Sequence, residues 1–211
     1  ARLTELGLRA GSVVGIQLPN IVEAPITILA CLRGSICLYQ GEELGLPEAE
    51  LAFADLRDPY GIRFWPAFKG RDGCRTPMVW DDHAVQAGFS TAQKTWLPIP
   101  VEHVLRSVNT QVGKPESVLE HYRRFLAFRR QYPAFAKGDI TFHEAGEDTL
   151  VYTRDFGNEK LLCMFNMGAD QASLAMPAGN WVELEGHGFV SNVNDNKVEL
   201  PAWGAYFARH A

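Results

Sequence analysis

The sequence predicts an α+β fold, mostly β: a loop-rich first part that closes on one amphipathic helix, then a C-terminal antiparallel β-sandwich. Three observations predict it. Pro47, Pro59, Pro66, Pro77, Pro98 and Pro100 break any long helix between Gly34 and Pro100. Val118, Leu119, Tyr122, Phe125, Leu126 and Arg129 then recur at helical spacing. Beyond Gly138, short β-rich runs alternate with turn signals at regular intervals.

Taken in order, Val13–Leu18 reads as a strand, and Pro19-Asn20 opens a helical pattern through Ile21, Pro25, Ile28, Leu29 and Leu32. Asn20 suits the N-cap, with Glu23 as its capping-box partner. The apolar run Ile36–Tyr39 leads into Gln40-Gly41-Glu42-Glu43, the pattern of a buried strand ending in a functional loop. An aromatic loop around Trp65 follows, then Gly70-Arg71-Asp72-Gly73-Cys74-Arg75-Thr76-Pro77-Met78. On the helix after Ser117, Arg123, Arg124 and Arg130 occupy the polar face, and basic residues near its C-terminal half suit the helix dipole. Tyr132-Pro133 ends it. Strands are expected over 139–143, 149–153, 160–166, 172–176, 181–184, 197–200 and 205–208.

The 211 residues are 46% hydrophobic and 21% charged, enough for one large domain or two small ones with an ordinary core. A net charge of -5, with no basic stripe, excludes nucleic acid and anionic membrane as expected partners. Cys31, Cys37, Cys74 and Cys163 lack zinc-type spacing and read as reduced thiols of a cytoplasmic protein. Ile26–Leu32 is too short to span a bilayer, and Arg2–Glu5 has no apolar leader run. Ala1 is read as a processed or trimmed start. His83, His103, His121 and His143 are scattered, and neither Ser35 nor Ser90 lies in a nucleophile elbow. No metal and no cofactor is expected.

The blocks from Gly34 to Asp82 resemble the α-glucosidase (oligo-1,6-glucosidase, maltase) branch of the α-amylase superfamily, and the likeness runs over about residues 34–211. It implies that residues 34–135 are the loop-rich remnant of a (β/α)8 barrel end and residues 136–211 a C-terminal β-sandwich domain. Residues 4–33 resemble instead an early strand–helix unit of the AMP-forming acyl-CoA ligases, which is scaffold in that family. Its adenylate-binding motifs are absent from the sequence, so no ligase chemistry is implied. Residues 1–33 are therefore expected to be a segment of different origin, joined near Leu32-Arg33-Gly34.

Glycosidases of this kind need two carboxyl groups roughly 5–5.5 Å apart across the glycosidic bond. The resemblance implies that the nucleophilic Asp, the acid Glu and a third Asp lie on barrel strands upstream of Gly34. No Gly-Phe-Arg-x-Asp and no Asn-His-Asp stretch occurs in the sequence. Glu42, Glu43 and Asp72 are the remaining catalytic candidates. As chain neighbours, Glu42 and Glu43 point apart, which suits bracing of the turn better than acid–base work. In the family, the Arg matching Arg71 reaches the substrate pocket, where its rigid fork bonds two oxygens at once. The alternative is a pair with Asp72, Asp81 or Asp82. Arg75 reads as a structural anchor. Phe64, Trp65 and Phe68 suit stacking on sugar faces or packing within the loop. The expected substrate-binding set is Arg71, Trp65, Phe64 and Tyr39.

The leading expectation is an α-glucosidase-like fragment that lacks the family's catalytic carboxylates and is inactive by the family mechanism, with α-glucoside oligosaccharide as its ligand. Two alternatives stand beside it. One is a hydrolase whose site is assembled from local carboxylates between subunits. The other is a carbohydrate-binding or structural module. Without its barrel partners Ile36–Tyr39 would be an apolar edge, and such edges recruit another chain. A homo-oligomer through residues 1–70 is expected.

Overall fold

The computed structural model describes residues 38–211. The expected strand and helix of residues 4–33, most of the Ile36–Tyr39 strand, Cys31 and Cys37 lie outside the described residues; Leu38 and Tyr39, which are described, carry no strand. Two compact units follow, residues 38–122 and 123–211.

Residues 38–122 are mostly turns, as the prolines demand. Between them stand short helices, α1 (Pro59–Phe64), α2 (Val101–Val104) and α3 (Val108–Gln111), absent from the sequence reading. Pro59 opens α1 from its first turn, where a missing N–H costs nothing, and Asp58 caps it by accepting the Tyr60 N–H at 3.0 Å. The unit has two small apolar clusters, one around Leu44, Met78, Val79 and Leu119, the other around Leu51, Leu56 and Leu97. Polar ties join the turns. The Gln111 amide donates to the Leu44 and Arg106 carbonyls at 3.0 and 2.8 Å and accepts the Leu119 N–H at 3.1 Å. Buried His103 bridges Thr76 Oγ1 (3.1 Å) and the Pro47 carbonyl (2.8 Å).

Helix α4 (Val118–Gln131) forms where the periodicity places it. Its buried stripe is Leu119, Tyr122, Phe125 and Phe128; Phe128 takes the place expected for Leu126 and Arg129, which are half-buried. Pro133 ends α4 but also opens α5 (Pro133–Lys137). Eight strands follow: β1 (Asp139–His143), β2 (Thr149–Phe156), β3 (Glu159–Asn166), β4 (Ala172–Ala175), β5 (Trp181–Glu183), β6 (Asn192–Asn194), β7 (Lys197–Leu200) and β8 (Ala205–His210). All pairings are antiparallel, in a five-stranded sheet β1-β2-β3-β8-β5 and a three-stranded sheet β4-β7-β6. Strand β6 is the one absent from the sequence reading.

Alternation along β2, β3 and β8 sends Val151, Leu162, Met164, Tyr206 and Ala208 to one face, where they meet Leu174, Val198 and Leu200 of the smaller sheet. This is the expected sandwich core. Phe165 and Phe207 point the other way, into an aromatic layer with Phe125, Phe128, Phe135, His187 and Phe189. Burial on both faces explains why Leu161–Asn166 is buried at every position. Arg154, fully buried, donates to the Ala134 and Phe135 carbonyls of α5 at 3.2 and 2.9 Å.

Candidate functional site

Arg71 is the residue around which a site can be built. It ends a loop that leaves at Asp58, runs through α1 and the aromatic turn Phe64–Phe68, and returns along Lys69-Gly70. Two glycines close its neck: a Cβ on Gly61 would lie 2.4 Å from the Lys69 carbonyl oxygen, and one on Gly70 2.9 Å from the Gly61 backbone. Gly70 also takes the left-handed φ of 78°, which favours glycine. Two carboxylates lock the same neck. Asp72 Oδ2 accepts the backbone N–H groups of Arg57 and Asp58 at 2.5 and 2.6 Å. Asp58 Oδ2 accepts both the backbone N–H and the Nε–H of Arg71 at 3.0 Å.

The pairing expected for Arg71 is thereby corrected. Its partner is Asp58, thirteen positions back, and not Asp72, Asp81 or Asp82. Asp72 is 2% exposed and serves backbone donors, while Asp81 and Asp82 accept from the Asn109 amide at 2.9 and 2.7 Å. The Arg71 guanidinium holds the Asp58 carboxyl below the usual carboxylate range, helped by the Tyr60 N–H. Asp58 in turn pushes the Arg71 guanidinium up. Among the described residues, Asp58 engages the guanidinium through Nε alone. Among the described residues no hydrogen bond reaches its two terminal amino groups, and the side chain is 58% exposed.

Glu42 and Glu43 turn back on their own segment. Glu42 Oε2 accepts the Tyr39 N–H at 3.2 Å, and Glu43 Oε2 accepts the Gly41 N–H at 2.8 Å. That is the bracing arrangement. Burial, then the charges of Glu42 and Glu43, push the Tyr122 phenol far above its ordinary value, so the hydroxyl stays protonated. Tyr39 is exposed.

The aromatic candidates sit on the outside of the Asp58–Arg71 loop. Phe64 stacks with Tyr60 at 6.4 Å and carries the Arg63 guanidinium over its ring at 5.4 Å. Trp65 meets Phe53 at 5.7 Å, and Phe68 is half exposed. Arg71, Phe64 and Trp65 thus lie on one loop, with Asp72 directly after it. Among the described residues no hydrogen bond or ring contact joins them to Tyr39, Glu42 or Glu43. Arg75 is exposed. The residue that sequence reasoning passed over is Asp58, although Asp before Pro at a helix start is a legible capping signal. No group of three metal-ligating side chains occurs among the described residues, and none of their helices is long and apolar enough to cross a membrane. Neither Cys74, which is exposed, nor Cys163, which is buried, forms a disulfide among the described residues.

Comparison with known proteins places relatives beside the chain over most of its length. Residues 9–138 match the alpha amylase catalytic-domain family, a match that begins within the segment 4–33, and residues 140–207 match the maltogenic amylase C-terminal domain. A protein described as "probable alpha-glucosidase" from Rhizobium meliloti (strain 1021) is 57% identical over 185 residues, 88% of this chain and 33% of its own length. The oligo-1,6-glucosidase of Heyndrickxia coagulans is 32% identical over 76% of this chain and 32% of its own. Among solved structures, the alpha-glucosyl transfer enzyme XgtA superposes with a TM-score of 0.85 at 44% identity, over 92% of this chain and 36% of that one. The chain thus spans about one third of the length of the relatives it matches. With both matches and both units of structure in agreement, the chain belongs to the alpha-amylase family, as a stretch of its catalytic domain followed by the antiparallel C-terminal β domain.

Proposed function

We propose that this stretch supplies a sugar-facing loop and the C-terminal β domain of an α-glucosidase-type glycoside hydrolase acting on α-glucoside oligosaccharide. The 211 residues by themselves do not turn such substrates over. The observation that carries this reading is Arg71: pinned through Nε and exposed, it keeps two amino groups free of the described residues for oxygens of a ligand. Exposed Phe64 and Trp65 offer rings for the C–H faces of a pyranose. The candidate carboxylates favour the second half of the reading. Glu42, Glu43 and Asp72 are each engaged with backbone N–H groups of their own or a neighbouring segment, so their oxygens brace turns rather than face one another across a bond. The names of the relatives support the substrate class.

Calorimetric titration with maltose or isomaltose tests the sugar-facing loop. Millimolar binding that is lost in Arg71→Ala is expected; no heat from the unaltered chain at millimolar sugar would contradict it. The exposed apolar groups Tyr39, Phe53, Tyr60, Ile62, Trp65 and Phe68 favour a homo-oligomer through residues 1–70. Light scattering behind size exclusion reads it, and a stable monomer would overturn it. A site assembled between subunits would show activity that falls on dilution. A second origin for residues 1–33 has only the ligase likeness in its favour, and the alpha amylase match from residue 9 weighs against it. Cytoplasmic location belongs to the same proposal, supported by the exposed thiol of Cys74.

A further inference from the structure

We infer that Asp58 is the positioning residue of this site: it aims the Arg71 guanidinium at the sugar, and Asp72 holds Asp58 in place. The inference rests on the reading of Arg71 as the sugar-binding cation. The Asp58 side chain is fully buried, whereas that of Arg71 is more than half exposed, so the anchor lies inside and the free end outside. One carboxylate oxygen takes two donors from the same residue, the Arg71 backbone N–H and its Nε–H, each at 3.0 Å. That closes the side chain into a ring with its own backbone and removes most of its rotamer freedom. An arginine otherwise loses that freedom when it binds, so prior ordering favours affinity. The remaining N–H donors are the two amino groups of the fork.

A helix cap alone does not account for these contacts. Capping α1 uses only Oδ1, which accepts the Tyr60 N–H. The other oxygen is devoted to Arg71. Asp72 completes the arrangement, because its Oδ2 fixes the backbone N–H of Asp58 itself together with that of Arg57. The ligand class is a neutral polyhydroxyl compound, an α-glucoside, whose oxygens accept from the fork.

The test separates the cap from the aim. Asp58→Ser keeps a good N-cap but is too short to reach Arg71. Maltose titration of the 211-residue chain is compared for the parent, Asp58→Ser, Arg71→Ala and the double variant. Asp58→Ser is expected to weaken binding about tenfold, as befits loss of a charge-assisted hydrogen bond. It should cost nothing more once Arg71 is Ala. An equal loss in both backgrounds would overturn the positioning role. A second readout needs no sugar: the Arg71 Nε–H resonance should exchange slowly in the parent, fast in Asp58→Ser and at an intermediate rate in Asp58→Asn, which also serves should the Ser variant not fold. Equal protection in parent and variants overturns the inference. If the parent binds no maltose while Nε–H protection still follows Asp58, the sugar reading of Arg71 fails and the positioning stands.

Discussion

Residues 123–211 bury Phe207 among six aromatic or imidazole rings at centroid distances of 5.1 to 6.3 Å, with the second sheet covering the opposite face of the same strands. Residues 38–122 do the reverse. Their apolar clusters are small, many of their large aromatic side chains lie outside, and single carboxylates or amides bonded to backbone N–H and C=O groups hold the turns. A layered core fixes a fold but leaves few groups to meet a ligand. Turns tied by polar side chains keep aromatic rings and a guanidinium available. On the proposed reading, the first unit meets the ligand and the second supplies the stable core.

The largest expected effect tests the layered core. Phe207→Ala should cost about 3–5 kcal/mol, read by urea unfolding followed by circular dichroism. A cost below about 1 kcal/mol would mean that the aromatic layer is not what holds the domain. Next comes the neck of the loop. Gly61→Ala drives a Cβ against the Lys69 carbonyl and should cost about 1–3 kcal/mol. It should also open residues 58–72 to limited proteolysis while the β domain stays resistant. If both units loosen together, the two regions are not independent.

A pH effect should follow from His187, which is 3% exposed in the aromatic layer and accepts the Phe189 N–H through Nδ1 at 3.1 Å. Burial lowers its affinity for a proton, only partly offset by a hydrogen bond with the Leu184 backbone. The unfolded chain therefore takes up a proton near pH 6.5 that the folded domain refuses, and stability falls as pH drops below that value. Melting temperature between pH 8 and 5 reads this, and His187→Gln should flatten the slope. The smallest effect belongs to the surface. The cross-strand pair Lys160–Asp155, 3.5 Å apart with both side chains nearly half exposed, should contribute less than about 1 kcal/mol, shrinking with salt.

The same contrast governed what could be read from the sequence. Seven strands and α4 were legible because burial on defined faces imposes a period. Strand β6 was not. Asn192-Val193-Asn194 is exposed at every position and exists by pairing with β7 across Asp195-Asn196, whose φ values of 44° and 64° make the turn. Its signal is in the turn residues, not in apolar alternation. Pro133 was legible as an end and not as the beginning of α5, since proline serves both. In the first unit the Arg71 motif could be recognised, but its Asp58 partner could not be picked from Asp72, Asp81 and Asp82 by nearness in sequence. The loop that returns Gly70 onto Gly61 brings Asp58 closer than any of them.

Release of p-nitrophenol from p-nitrophenyl α-glucoside by the purified 211-residue chain tests most directly the proposal that this stretch supplies a sugar-binding cation without a working pair of acids. No turnover above the buffer rate is expected. Turnover that survives purification and disappears in Glu42→Gln, Glu43→Gln or Asp72→Asn would contradict it.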